Sequence, residues 1–295
     1  MSLFLQNFIN GISLGSMYAL IAIGYTMVYG ILRLINFAHS NIFTVGAFIA
    51  FVFSATLGIH WAFAYLLAII ITALVGRLTE MIAYRPLRDA PRISVLISAI
   101  AVSYILENLL VMIFGGRPKS FPRPAMFDFV LDIGSIRLPV INIVIILSTV
   151  FFLAVLLLIL YRTKSGRAMR AMSMDFDTAR LMGVNVDQIV AITFVIGSSL
   201  AAVAGILVAN KFPQINPYMA ATYGNKAFVA AVVGGIGSVQ GAAIGGVCLG
   251  LLEILFVALF PSLSGYRDAI AFLALIVVLL YKPTGLMGAG GKVKV

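Results

Sequence analysis

The chain has 295 residues, 62% apolar and only 10% charged, with a mean hydropathy of +1.11. Soluble domains carry about 25% charged residues. This composition therefore excludes an ordinary water-soluble enzyme and points to an all-α, polytopic integral membrane protein, since one crossing of a hydrocarbon core roughly 30 Å thick takes about 20 apolar residues as helix. The formal charge of +10 is read as cationic loops held at the cytoplasmic side rather than as a nucleic-acid surface.

Apolar runs lie near 5–30, 39–58, 61–83, 93–114, 140–161 and 188–209, followed by a glycine-broken stretch at 226–260 and a last run at 267–281. Together they predict about eight transmembrane helices plus a short broken or re-entrant segment, in a single transmembrane domain over 1–295. The opening MSLFLQNFIN has no basic region or small-residue cleavage site before its apolar run, so it reads as a retained span rather than a cleaved signal. The join at 84–92, YRPLRDAPR, is basic and carries two helix-stopping prolines. The longer join at 115–139 has Pro and Gly punctuation and a hairpin pattern at VLDIGSIRL. Cys248 stands alone and implies neither a disulfide nor a metal site.

Orientation follows from Lys and Arg. None occurs in the first 32 residues, which places the N-terminus outside and the join at 84–92 inside. With a cytoplasmic C-terminal tail, thirteen of the twenty Lys and Arg lie inside, Lys292 and Lys294 among them; 115–139 is an extracytoplasmic loop and 162–187 a cytoplasmic one. An odd number of crossings must then follow residue 225, whereas 226–260 and 267–281 look like two. The break GGIGSVQG (234–241) restores parity if a short segment enters from outside, turns there and returns as a full helix. Irregular backbone at membrane depth survives only where protein or a water-filled cavity satisfies it, so such breaks point to transport pathways. The same stretch also reads as one kinked helix. INFAHSNIFTVGAFIAF (35–51) and GGIGSVQGAAIGGVCLGL (234–251) echo each other weakly, with polar and small residues ahead of an apolar helix.

Chemistry-bearing motifs are sparse. There is no GxxxxGK[ST] phosphate loop, no HExxH and no Cys/His cluster for zinc, and no GxSxG elbow around Ser238. ATP hydrolysis on this chain and intramembrane hydrolysis are both disfavoured. Arg77 and Glu80, three apart, share a helix face and read as a simple pair. Glu107 and Glu253 lie inside their spans, where each faces either a polar path or a neighbouring helix. Glycines at 237, 241 and 245, and at 11 and 15, repeat every four residues and read first as close helix packing.

One charged island interrupts all this: GRAMRAMSMDFDTARLMGVNV, 166–186. Good helix formers run from Ser165 to a stop at Gly183. Ala168, Ala171, Met172, Ala179 and Met182 form an interrupted small or apolar stripe, while Arg167, Arg170, Asp175, Asp177 and Arg180 supply charge elsewhere. Anionic headgroups would repel Asp175 and Asp177, so a helix that docks in a partner's groove fits better than one lying on lipid.

The chain resembles, almost end to end, the permease subunits of bacterial ABC importers for branched-chain amino acids, in their LivH-like branch. The resemblance is carried by NGISLGSMYALIAIGYTMVYGILRLINFAHSNIFTVGAF, by GRAMRAMSMDFDTARLMGVNVDQIVAITFVIGSSLAAVAGIL, by VVGGIGSVQGAAIGG and by the closing YKPTGLMG, in that order. It implies that residues 165–184 dock in ATPase subunits on separate chains, which would bind the ATP and Mg. The loop's recurring positions fall on Gly166, Arg170, Asp175, Ala179, Met182 and Gly183. Relatives often carry a Glu-Asp pair where this chain reads SMDFD, so the acidic contact at Asp175 and Asp177 is expected to be arranged differently. The resemblance further implies a second, related permease in a heterodimeric pore, two ATP-binding subunits, an extracytoplasmic binding protein touching 115–139 and 211–225, and a place in the bacterial cytoplasmic membrane. The expected cargo is a hydrophobic amino acid, with Asn36, His39, Glu107, Gly235, Gly237 and Ser238 as path-lining candidates. Urea or a short amide is the alternative cargo. An ion-coupled secondary transporter would also explain broken helices and Glu107, but leaves the island without a purpose.

Overall fold

The computed structural model describes residues 2–288 except Asp89 and Ser135; Lys292 and Lys294 of the tail lie outside the described residues. Among the described residues, eight helices are long and apolar enough to cross a membrane. They comprise α1 (Ser2–Leu32), α2 (His39–Phe51, continued by a π turn at Val52–Thr56), α3 (Trp61–Thr79, continued to Leu87), α4 (Arg92–Phe114), α5 (Val140–Arg162), then α8 (Val186–Lys211), α10 (Val239–Leu259) and α11 (Arg267–Tyr281, entered by a 3-10 turn at Pro261–Tyr266). Between α5 and α8 sit two short helices, α6 (Lys164–Met174) and α7 (Phe176–Leu181); α9 (Asn225–Gly234) precedes α10.

The organising helix is α1. Almost its whole span is buried, whereas α4, α5 and α11 are mostly exposed flanks. It runs antiparallel to α10 with backbone nearly touching backbone: a side chain added at Gly15 or Gly250 would strike main-chain atoms of the other helix. In a bilayer, lipid is as apolar as leucine, so helices associate through such close packing rather than through hydrophobic exclusion. The spaced glycines at 11 and 15 are therefore packing residues.

The two ends of the bundle differ. At one end α6 and α7 project from the spans. At the other, β2 (Val130–Ile133) and β3 (Ile136–Pro139) form the expected hairpin, with four register pairs from Val130↔Pro139 to Ile133↔Ile136. There β1 (Lys119–Ser120) also pairs with β4 (Gln214–Ile215), joining the loop after α4 to the loop after α8.

Candidate functional site

The island is built by local capping. The Thr163 hydroxyl accepts from Gly166 N (3.0 Å) and starts α6; Gly166 has no room for a side chain against the last carbonyls of α5. Gly166, Met169 and Met172 face the protein body. The expected single helix over 165–184 is broken at Asp175, whose extended backbone (φ −150°, ψ 111°) ends α6 and N-caps α7. Its carboxylate accepts from Thr178 N (3.0 Å) and from the Thr178 hydroxyl (2.7 Å). The Thr178 backbone N–H, ahead of every other influence, holds this carboxyl below the usual carboxylate range. An Asp side chain that satisfies a helix-start N–H competes with continuing the previous helix, which is why one predicted element became two.

α7 buries Ala179 and leaves Asp177 exposed in its first turn, where an acid suits the helix dipole. Gly183 follows at φ +83° with open space around it, so its glycine is needed for backbone conformation and not for room. Asn185 then caps α8 by accepting from Gln188 N (3.1 Å). The apolar stripe is split by the bend: Met172 and Ala179 are buried, while Met174, Leu181 and Met182 stand 86%, 86% and 81% exposed at the projecting tip. Arg170 turns back toward the bundle, its guanidinium 4.9 Å from the Tyr161 ring centre.

Behind the island lies an ionic clamp. Glu80 is fully buried between Arg77, the predicted i,i+3 partner, and Arg88 (2.9 Å); Arg88 also meets Asp187, which Arg85 reaches at 2.6 Å. The clamp ties the end of α3 and the 84–92 join to the first turn of α8, and so fixes the chain leaving α7.

The second feature is a pair of broken crossings. After α1, residues 33–38 turn back and α2 begins with His39 against Gly24, about 12 Å up α1 from its end. After α8 the chain descends irregularly to a π turn at Ala220–Gly224, where Gly224 meets Ser40, and only then becomes α9. Ten residues make about 15 Å of helix, half a bilayer. The α9–α10 turn lies at the α6–α7 end, because Gly237 packs on Gly30 near the end of α1. Gly235 (φ +110°) and Gly237 (φ +98°) make that turn, and Ser238 caps α10 by accepting from Gly241 N (3.1 Å). The end of α9 is satisfied from the far end of the chain, by Leu286 N to Val233 O (2.8 Å) and Met287 N to Gly234 O (2.9 Å).

Comparison with known proteins gives the family. The sequence profile described as "Branched-chain amino acid transport system / permease component" matches residues 7–279. The chain belongs to that family. It is 43% identical to the high-affinity branched-chain amino acid transport system permease protein LivH of Salmonella typhimurium, over 97% of this chain and 96% of the relative. To the high-affinity branched-chain amino acid transport system permease protein BraD of Pseudomonas aeruginosa it is 42% identical over the same shares. The ribose import permease protein RbsC of Haemophilus influenzae is 26% identical over 92% of this chain and 83% of that one. The solved structure of PsaBC from Streptococcus pneumoniae in complex with Fab aligns over 95% of this chain and 92% of that chain, with 13% identity and a TM-score of 0.49. This permease is thus a multi-pass membrane transport subunit rather than an enzyme.

The permease does not gather its sequence-predicted path residues into one cavity. Asn36 and His39 sit together at the first break, both buried; Asn36 accepts from the Tyr84 hydroxyl (2.8 Å), and the His39 ring lies edge-on to Tyr25 (4.8 Å) with Nε2 unpartnered among the described residues. Gly235, Gly237 and Ser238 form the second break, separated from the first by α9 and Phe228. Glu107 stands apart, half-buried on α4, with no hydrogen bond or ion pair among the described residues.

What the pattern missed is a buried ion cluster between α9, α10 and α11. Lys226 is buried at the start of α9 and bonds Glu253 (2.9 Å) and Asp268 (2.6 Å). Glu253 also binds Arg267 (2.7 Å) and accepts from the Tyr18 hydroxyl (2.9 Å). Glu253 therefore serves helix association. A lone Lys leading an apolar run, NKAFVAAVV, was the only available signal.

Proposed function

We propose that this permease forms one half of the pore of an ATP-driven importer that moves branched-chain amino acids into the cytoplasm. In this reading the α6–α7 end is cytoplasmic, the N-terminus is outside, the C-terminal tail is inside and the membrane is the bacterial cytoplasmic membrane. Arg85, Arg88, Arg92, Arg162, Lys164 and Arg167 cluster at the α6–α7 end, in keeping with positive-inside placement. Partners are a second, related permease, two ATP-binding subunits that hold ATP and Mg, and an extracytoplasmic binding protein. The joined loops at 115–139 and 211–225, with Phe129 and Val130 exposed beside them, offer that protein one continuous surface.

The observation that carries the reading is the apolar tip of α6 and α7. Met174, Leu181 and Met182 project beyond the spans while the opposite face is held by the bundle and the clamp. Flexible, polarisable Met side chains suit a groove that opens and closes, and the capped, clamped helices behind them would pass a push to α5 and α8. In the assembled complex, ATPase activity in lipid should rise with loaded binding protein. Replacing Met174, Leu181 and Met182 with Ser should abolish that rise while the chain stays inserted. A chain that purifies alone and accumulates leucine on an ion gradient would overturn the proposal.

A further inference from the structure

At the α6–α7 end, a cavity of about 660 Å³ opens between α1, α5, α6, the α9–α10 turn and residues 283–288. Leu157 and Leu160 of α5, with Val232 of α9 and Val239 of α10, give it an apolar wall. The wall climbs toward the membrane interior, since Leu157 lies more than one turn before the end of α5. Two guanidinium groups, Arg33 and Arg170, line the end nearest α6, and no carboxylate lines it among the described residues.

Both arginines are held in place without being neutralised. Arg170 rests over Tyr161, and among the described residues its guanidinium makes no hydrogen bond or ion pair. Arg33 spends one Nη2 donor on Ser173 O (3.0 Å), leaving most of its five N–H donors. Arg33 is also the only non-glycine residue at positive φ (+54°) among the described residues. A left-handed backbone is costly for any side chain but glycine, and persists where the surroundings demand it. Here it turns the chain leaving α1 so that the guanidinium reaches beneath α6.

An apolar wall that ends in two permanent positive charges matches an amphiphile with a net negative head. We infer that this cavity binds the phosphate group of an anionic phospholipid from the adjoining leaflet, with the phosphate between Arg33 and Arg170 and an acyl chain along Leu157, Leu160 and Val232. Guanidinium forks suit phosphate oxygens, and basic pockets between spans at the headgroup level recruit such lipids. A transported zwitterion fits less well, because the lining offers its ammonium group no carboxylate. The bound phosphate would bridge α1 to α6 and stiffen the seat of the projecting helices. The inference needs neither a direction of transport nor a particular cargo.

The test uses the full chain in nanodiscs of phosphatidylcholine alone, with phosphatidylglycerol added, or with inorganic phosphate added. Photoactivatable phosphatidylglycerol should crosslink to peptides covering 157–161 and 232–240 of the unmodified chain, and native mass spectrometry should retain phosphatidylglycerol over phosphatidylcholine. Arg33→Asn, chosen because Asn tolerates positive φ, and Arg170→Gln should each weaken retention about fivefold, and together about 25-fold. Arg117→Gln at the opposite end should leave it unchanged. Crosslinks confined to other peptides, no preference for the anionic lipid, or full retention by the double variant would overturn the inference. Stabilisation by inorganic phosphate alone, lost in the arginine variants, would assign the site to free phosphate and overturn its lipid part.

Discussion

The projecting helices α6–α7 and the buried cluster around Glu253 both place charge in an apolar protein, by opposite means. In α6–α7 both N-caps are local: Thr163 to Gly166 and Asp175 to Thr178 are each three residues apart. In the cluster, Glu253 bonds a lysine 27 residues away and a tyrosine 235 away, and its side chain is fully buried. Local, solvated charge can be edited without unfolding the chain. Remote, buried charge is a condition for the helices to meet at all.

The strongest way to break the comparison is to separate the helices that carry the cluster. Gly250→Val puts a branched side chain against the backbone at Gly15, and no rotamer relieves a clash with main chain. The expected outcome is loss of the folded monomer, read as aggregation on size exclusion, whereas no single charge substitution in α6–α7 should do this.

Next comes Glu253→Gln, which removes the anion shared by Lys226 and Arg267. Breaking a buried pair costs about 3–5 kcal/mol, visible as a large fall in the thermal midpoint in detergent. Replacing Lys226 and Glu253 together with Met should recover most of the loss. The remaining Arg267 and Asp268, 45% and 63% exposed, can reach the surface. If the double variant is no better than the single, the cluster does more than neutralise itself.

A smaller effect separates conformation from space at Gly183. Because nothing lies near its Cβ position, Gly183→Asn should keep the proposed ATPase coupling, while Gly183→Val should strain the backbone by roughly 1–2 kcal/mol and lower that coupling with little change in global stability. Equal behaviour of the two would mean that bulk, and a partner surface, decides at this position.

The smallest effect is pH dependence at Asp175. Its carboxyl is depressed in the folded state by the Thr178 N–H, so its capping contribution is fully present above the unfolded-state value and is lost as pH falls through the folded one. Acidification into that range should fray α7, seen as faster amide exchange at Thr178 and Ala179. Asp175→Asn, which still accepts a bond, should remove the pH dependence and keep the helix.

Much of the candidate site was legible before folding. A glycine stop acts within a few positions, so Gly183 announces its role in the string alone, whereas the caps at Thr163, Asp175 and Asn185 do not: residues 165–184 read as one helix with Asp175 as a surface charge, and the break there emerged only with the structure. The i,i+3 spacing of Arg77 and Glu80 likewise announced their pair, but not that Arg88 and Asp187 complete it. Glu107 keeps the ambiguity it had as a letter in a string, because α4 packs little of itself against this chain.

The sequence by itself determined the number of crossings, the break within 234–241, the hairpin over VLDIGSIRL and the charged island with its stop at Gly183, because hydropathy and glycine act over a few residues or over the thickness of a bilayer. Only the tertiary structure decided that α1 is the buried centre, that the break lies beside Gly30, that Lys226 is an interior residue, and that Arg33 and Arg170 share one cavity. Those outcomes depend on which glycine faces meet and on charges that find partners tens to hundreds of residues away. No local pattern encodes them, because a helix face acquires its meaning only when another helix lies against it.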